Sequence, residues 1–343
     1  MENPLSFAMS TILIISAVAG LLLGRIAAGW AAAVLFDVRS TKLAVCPACS
    51  HVCSRRQRWF SIMRVCCSGC GVKWTVRWPL LTSLVLAGLF AGFAWMLIGF
   101  QCQNVSEVQP ASPMSQLRLP FHLALLFFLT VATLTDLLDY AIPDDVILVG
   151  ILTAIIGATV SGDLQVIHVW VNWDSQVTGL YGPYLPEWMK HHQHLHGFVW
   201  SLAGLLVGAS YVGFVRMISG WVLGEPAMGF GDVTLMAMIG AFIGWQPALC
   251  AIAIAPLTAV VFGLLARVLS GRSFVAFGPY LAISAVIVLC TWRWIWADPL
   301  LMRDIFSHWP SVAGMVGGSL VALAVLLGGL RMFMAMPADT IRR

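Results

Sequence analysis

The chain has 343 residues, of which 60% are hydrophobic and only 10% charged, with a formal net charge of +4 and a mean hydropathy of +0.89. Soluble domains carry about 25% charged residues, so a soluble enzyme or carrier is excluded. The small positive surplus is explained by membrane topology and gives no support to a nucleic-acid partner.

Runs long enough to cross a bilayer, about 20 residues each, fall at 8–36, 80–100, 120–138, 145–161, 197–220, 233–247, 248–270, 276–296 and 311–333. They predict an all-α polytopic membrane protein of eight or nine transmembrane helices, the sixth run being short and parted from the seventh only by Trp245-Gln246-Pro247. The first run is too long for a signal peptide, and Met1-Glu2-Asn3-Pro4 lacks a basic flank, so it reads as a retained helix. The organisation is a first helix at 1–36, an insert at 37–78, a membrane domain at 79–297 with an outer loop at 162–196, and a C-terminal helix and tail at 298–343.

Loop charge sets the expected orientation. With the N-terminus outside, inner segments hold 14 of the 19 Lys and Arg, outer segments hold Arg118, Lys190, Arg293 and Arg303, and Arg25 lies in the first helix. That bias favours N-out insertion.

The insert carries Cys46-Pro47-Ala48-Cys49 and Cys67-Ser68-Gly69-Cys70, two CxxC pairs 17 residues apart. The spacing suits a four-cysteine zinc-ribbon-like site, in which each turn aims two thiolates at one point of a tetrahedron. A domain this small has too little core to fold without a staple. Cys46, Cys49, Cys67 and Cys70 are the candidate ligands for a structural Zn²⁺, and Cys53 or Cys66 could replace a neighbour. The competing reading is a set of reduced thiols in a basic loop.

Two aspartates stand where apolar runs meet the predicted cytoplasmic side. Asp136 lies in Leu134-Thr135-Asp136-Leu137-Leu138-Asp139-Tyr140-Ala141-Ile142-Pro143-Asp144, and Asp232 closes Met228-Gly229-Phe230-Gly231-Asp232. Ionisable side chains in membrane segments are scarce and usually functional. Two carboxylates sharing a site provide an acid and a base. Gly229 and Gly231, without side chains, would let a substrate backbone come close. Against this, Asp232 could be only a helix N-cap, and Asp136 with Asp139 a solvated interfacial face.

Taken in order, the CxxC pairs, Asp136 seven residues before Pro143, the Gly-Phe-Gly-Asp run ending at Asp232, and Ala276-Phe277-Gly278-Pro279-Tyr280 resemble the bacterial type IV prepilin peptidases, over most of the chain from Cys46 to about Ala285. The resemblance implies an inner-membrane aspartic endopeptidase that removes the leader of prepilins or pseudopilins after a glycine, with Asp136 and Asp232 catalytic and Asp139 outside the pattern. It also shows departures. Gly24-Arg25-Ile26-Ala27-Ala28-Gly29 and Thr82 stand where methylating members carry a glycine-serine-phenylalanine-asparagine stretch and a glutamate, so N-methylation from S-adenosylmethionine is not expected. Thr234 replaces a common lysine.

Other readings are a different glycine-x-glycine-aspartate protease (preflagellin or presenilin-like), a proton-coupled transporter, and a non-catalytic scaffold. In the outer loop, Trp170, Trp173, Tyr181, Tyr184 and Trp188 suit an interfacial belt. Its His191, His192, His194 and His196 read as a solvated turn more readily than as a metal site.

Overall fold

The computed structural model describes residues 4–38, 48–49, 64–66, 69–75, 78–108, 114–171, 186–270, 276–297, 299–300 and 302–335. Its elements are α1 (Pro4–Val38), β1 (Arg64–Cys66), β2 (Lys73–Thr75), α2 (Trp78–Gly99), α3 (Met114–Asp139), α4 (Asp144–Ser161), α5 (Glu187–His191), α6 (Gln193–Leu223), α7 (Phe230–Ile243), α8 (Trp245–Ser270), α9 (Gly278–Trp296), α10 (Met302–Ser307) and α11 (Trp309–Met334). Eight helices are long and apolar enough to cross a membrane. The protein is an all-α polytopic membrane protein. Its one described sheet is the small hairpin β1–β2, antiparallel with Val65 opposite Trp74, inside the insert.

In lipid, helices gain little from burying apolar surface against one another, so close packing of small residues holds them together. Gly20 and Gly24 of α1 lie against Ala87 and Ser83 of α2, where an added Cβ on Gly20 would stand 2.6 Å from the Ala87 Cα. Gly204 of α6 and Gly240 of α7 each face the other's backbone carbonyl, and Gly208 faces that of Met236. Gly197 of α6 sits on the Ala158 carbonyl of α4.

These contacts build a bundle around α7, which touches α3, α4, α6, α8 and α9. From Leu235 to Ile243 every α7 residue is buried, packed on Phe121, Leu125, Phe128 and Leu129 of α3 among others. The sequence treats 233–247 as a sixth span. Instead α7 is a 14-residue helix, about 21 Å long at 1.5 Å per residue, and the chain breaks at Gly244 rather than at Trp245-Gln246-Pro247. Gly244 has φ +83, with the Trp200 ring 2.4 Å from where a Cβ would be. Only glycine meets both demands.

Around the far end of α7 the backbone is irregular but buried. Leu164, Val166, Ile167 and Val171 of the 162–171 segment are at most 4% exposed. Trp245 donates to the Val169 carbonyl (2.7 Å) and Gln246 to that of His168 (2.9 Å). Trp296 of α9 donates to Glu107 (2.7 Å), whose other oxygen accepts from Ser106 (2.8 Å).

Two outer-side expectations change. Arg118 is not a loop residue, because α3 starts at Met114 and carries Pro120 within it; its guanidinium is 2% exposed and donates to the Gln165 carbonyl. Nor is the histidine cluster a solvated turn throughout. His194 and His196 lie in the first turn of α6, and His196 is 2% exposed and accepts the Val169 N–H (3.3 Å). Among the described residues, no three His, Cys, Asp or Glu side chains are grouped to hold a metal. Trp173, Tyr181 and Tyr184 lie outside the described residues.

Candidate active site

Four element ends meet opposite that buried loop region. They are the last turn of α3, the 140–143 link into α4, the first turn of α7 and the first turn of α9. α4 begins after Pro143, whose fixed φ and missing N–H suit a helix start. α9 begins at Gly278, followed by Pro279 at a helix N-terminal position.

Asp136 reaches across to α9, where its Oδ2 accepts the Gly278 N–H at 3.1 Å. An added Cβ on Gly278 would lie 2.5 Å from that oxygen and 3.2 Å from Ile142 Cδ1. Ile142 also fills the space beside Gly231, where a Cβ would meet it at 3.0 Å. One isoleucine thus separates the glycine that holds Asp136 from the glycine that precedes Asp232.

Asp232 is not the N-cap of α7. Gly229 is the N-cap and Asp232 stands at the third helical position, its Oδ2 accepting the Gly229 N–H at 3.1 Å. This is the reach-back half of a capping box, and it places a carboxylate where the helix dipole favours negative charge. The loop before it is tied to α6. Arg216 donates to the Met228 carbonyl, and Ser219 Oγ accepts the Ala227 N–H (3.0 Å) while donating to the Arg216 carbonyl (2.9 Å). The Arg216 charge also acts on Asp232.

The two carboxyl groups are 6% and 7% exposed, respectively, and near enough that the charge of Asp232 acts on Asp136. Each spends one oxygen on a backbone N–H, and no described residue bonds the other. Asp139, one helical turn beyond Asp136, is more exposed and takes no part in these contacts. Asp145 at the start of α4 accepts from Trp30 of α1 at 3.3 Å.

The structure therefore brings Asp136, Asp232 and Gly231 together. Gly229 contributes its N–H and has room beside it, since a Cβ there would find nothing closer than 3.6 Å. Three contributors carried no assigned role in the sequence reading: Gly278, Ile142 and Arg216. A Gly-Pro pair at a helix start after a polar segment is a visible signal for the first. The other two are ordinary residues whose role depends on the tertiary path.

In the insert, Cys49 lies in a turn, and Cys70 lies in the turn of the β1–β2 hairpin, before Gly71 at φ +70. Cys46 and Cys67 lie outside the described residues.

Residues 123–264, a segment that contains both aspartates, match the type IV leader peptidase family. The match covers 142 of the chain's 343 residues, so the likeness to that family is shown over that segment. Among its relatives, the prepilin leader peptidase/N-methyltransferase of Myxococcus xanthus is 25% identical over 236 residues, 66% of this chain and 55% of that protein. The proteins of the same description from Pseudomonas aeruginosa and Aeromonas salmonicida are 32% and 29% identical, over 33% and 37% of this chain and 40% of their own length. The chain thus spans about half the length, or less, of these relatives. No solved structure matches it. The family segment stops short of Gly278, so the backbone group that holds Asp136 comes from outside the matched residues.

Proposed function

We propose that this protein is a prepilin peptidase, an aspartic endopeptidase that removes the leader from type IV prepilins or pseudopilins after a glycine. The observation that carries this reading is the convergence of Asp136 and Asp232, each anchored through one oxygen to a backbone N–H. The second oxygens are left for a shared water and the scissile carbonyl.

Two neighbouring carboxyls do not both ionise cheaply, so the pair holds one proton between them. The charged member takes a proton from water, whose oxygen attacks the carbonyl carbon, while the neutral member donates to the carbonyl oxygen. As the tetrahedral intermediate collapses, the C–N bond breaks and the amine leaves with a proton returned by the dyad. The pair titrates as a unit, so neither role belongs to one aspartate alone. Open space at Gly229 suits the approach of an extended substrate backbone, whereas the space at Gly231 is used by Ile142.

The loop charges favour a topology with the N-terminus outside and the aspartate end at the cytoplasmic face of a bacterial inner membrane. Leader cleavage at that face, of a basic segment followed by an apolar helix, fits a dyad set at the mouth of the bundle.

The relatives are described as N-methyltransferases as well as leader peptidases, and we do not extend the methylation to this chain. Thr82 stands where the acid of methylating members would be; it is buried, with its hydroxyl bonded to the Trp78 carbonyl at 2.8 Å. Gly24 packs directly against Ser83 beside it. Incubating purified protein with a prepilin and S-adenosylmethionine, then weighing the product, tests both halves. The expected product lacks the leader and carries no added methyl. An uncut prepilin sinks the peptidase reading, and a methylated mature N-terminus sinks the second.

Zinc is the remaining assignment. The turns that hold Cys49 and Cys70 support this reading, and with Cys46 and Cys67 these two would complete a thiolate tetrahedron. The metal would staple the insert and supply nothing to hydrolysis. About one zinc per chain is expected in purified protein, with Cys49→Ser and Cys70→Ser lowering it. Metal-free protein whose insert is equally stable would refute the assignment.

A further inference from the structure

Arg118 is a buried cation that forms no ion pair among the described residues. It lies in the second turn of α3, about 27 Å along the helix from Asp136 at 1.5 Å per residue. Its only bond to a described residue runs from Nη2 to the Gln165 carbonyl, and its buried Nε has no partner. The ion pairs among described residues join Glu187 to Lys190 and His191, and Arg303 to Asp304, and none includes Arg118. Neither nearby acid forms an ion pair with it. Glu107 accepts from Trp296 and Ser106, and Asp163 acts on Arg118 only through space. A guanidinium held out of water with no ion-pair partner and one unbonded N–H favours a bound anion.

Arg118 lines a cavity of about 490 Å³ whose wall has two parts. Gln101 and Asn104 are polar and exposed, while Ile12, Leu97, Ile98 and Leu119 are apolar and belong to α1, α2 and α3. Gln101 holds φ +49, an uncommon conformation for a residue with a side chain, at the point where α2 ends. Charge, amide donors and an apolar trough therefore stand side by side at one end of three membrane helices.

We propose that this cavity binds an anionic glycerophospholipid, its phosphate on Arg118, Gln101 and Asn104 and an acyl chain along Ile12, Leu97, Ile98 and Leu119. Arg is suited to a phosphate because its planar fork matches two oxygens at once. The apolar wall favours a lipid over a free ion. The site is remote from the dyad and does not depend on the peptidase reading.

Native mass spectrometry of the full chain in detergent tests it, with phosphatidylglycerol, phosphatidylcholine of the same acyl chains, or inorganic phosphate added. Both lipids offer a phosphate, but the choline cation would stand close to the Arg118 guanidinium, so phosphatidylglycerol should be retained about tenfold better than phosphatidylcholine. R118Q and N104D should each remove that preference. N104D, which sets a carboxylate beside the cavity at an exposed position, keeps the test valid if R118Q fails to fold. Equal retention of the two lipids by the unaltered chain overturns the proposal, as does an unchanged preference in folded N104D. Displacement of the lipid by millimolar phosphate overturns the acyl-chain half, leaving a free-anion site.

Discussion

The two ends of this bundle bury polar groups in opposite ways. Opposite the aspartates, the 101–108 and 162–171 segments knit side chains to backbone: Trp245 and Gln246 onto 168–169, Trp296 onto Glu107, and the Arg293 N–H onto the Cys102 carbonyl at 2.8 Å. At the aspartate end each carboxyl has one backbone donor, and glycines and a single isoleucine stand where side-chain partners would otherwise be. The braced end still leaves single atoms unbonded, Arg118 Nε and His168 Nδ1 among them, whereas the aspartate end keeps its spare capacity on a pair of carboxyls. Reserve capacity in a buried site costs stability, and a proton-transfer site needs it.

The largest effect expected from this contrast is at the dyad. Asp136→Asn and Asp232→Asn keep shape but remove proton exchange, so each should reduce leader cleavage by about a thousandfold or more, with the double variant little worse. Asp139→Asn should retain most activity at matched enzyme levels. Full cleavage by either of the first two would show that the open end is not the catalytic one.

Gly278→Ala comes next. Its methyl would press on Asp136 Oδ2 and on Ile142, and we expect a loss of about a hundredfold in kcat, since small misplacements at a reacting group have effects of that size. Gly88→Ala, at a position with no atom within 4 Å of the added carbon, is the control and should cleave normally. Equal activity in the two variants would break the claim that the α9 start aims Asp136.

The smallest effect belongs to the braced end. Burial holds the His168 ring below the usual histidine range, outweighing the pull of the Glu107 carbonyl, which its Nε2 contacts at 3.1 Å. Because the folded state resists protonation, the unfolded chain binds the extra proton as pH falls through about 6.5, so stability should decline below that value. His168→Gln should flatten the decline in a thermal-unfolding series while leaving cleavage at neutral pH unchanged. An identical pH slope in the variant would remove His168 from the account.

How much of this was legible in the sequence depended on whether a feature is local. The eight long spans follow from apolar run length, and Asp136 and Asp232 stand out because carboxylates are scarce in such runs. The run at 233–247 reads as a short sixth span carried past Gly244, because composition does not reveal where φ turns positive. Gly244 looks like any of the chain's 31 glycines until Trp200 is packed against it. Arg118 reads as an outer-segment residue because the apolar run begins at 120, two residues after it, whereas the helix starts at Met114. Within the site, the motif announced Asp232 but not its partner donor, and Asp136 is held by a residue 142 positions away. Gly278, Ile142 and Arg216 act through contacts that no window of sequence contains.

The shortness of α7 has a consequence for how the protein would respond to its membrane. A helix of about 21 Å exposed to a hydrocarbon layer of about 30 Å would have to thin the bilayer or shift within it, and its position would follow acyl-chain length. α7 is instead ringed by α3, α4, α6, α8 and α9, with no residue from Leu235 to Ile243 left to meet lipid. Thickness mismatch falls on the surrounding helices, which can tilt, and the depth of Asp232 is set by protein contacts. Reconstituted into bilayers of different thickness, the protein should keep its carboxyl pair in register while its outer helices adjust.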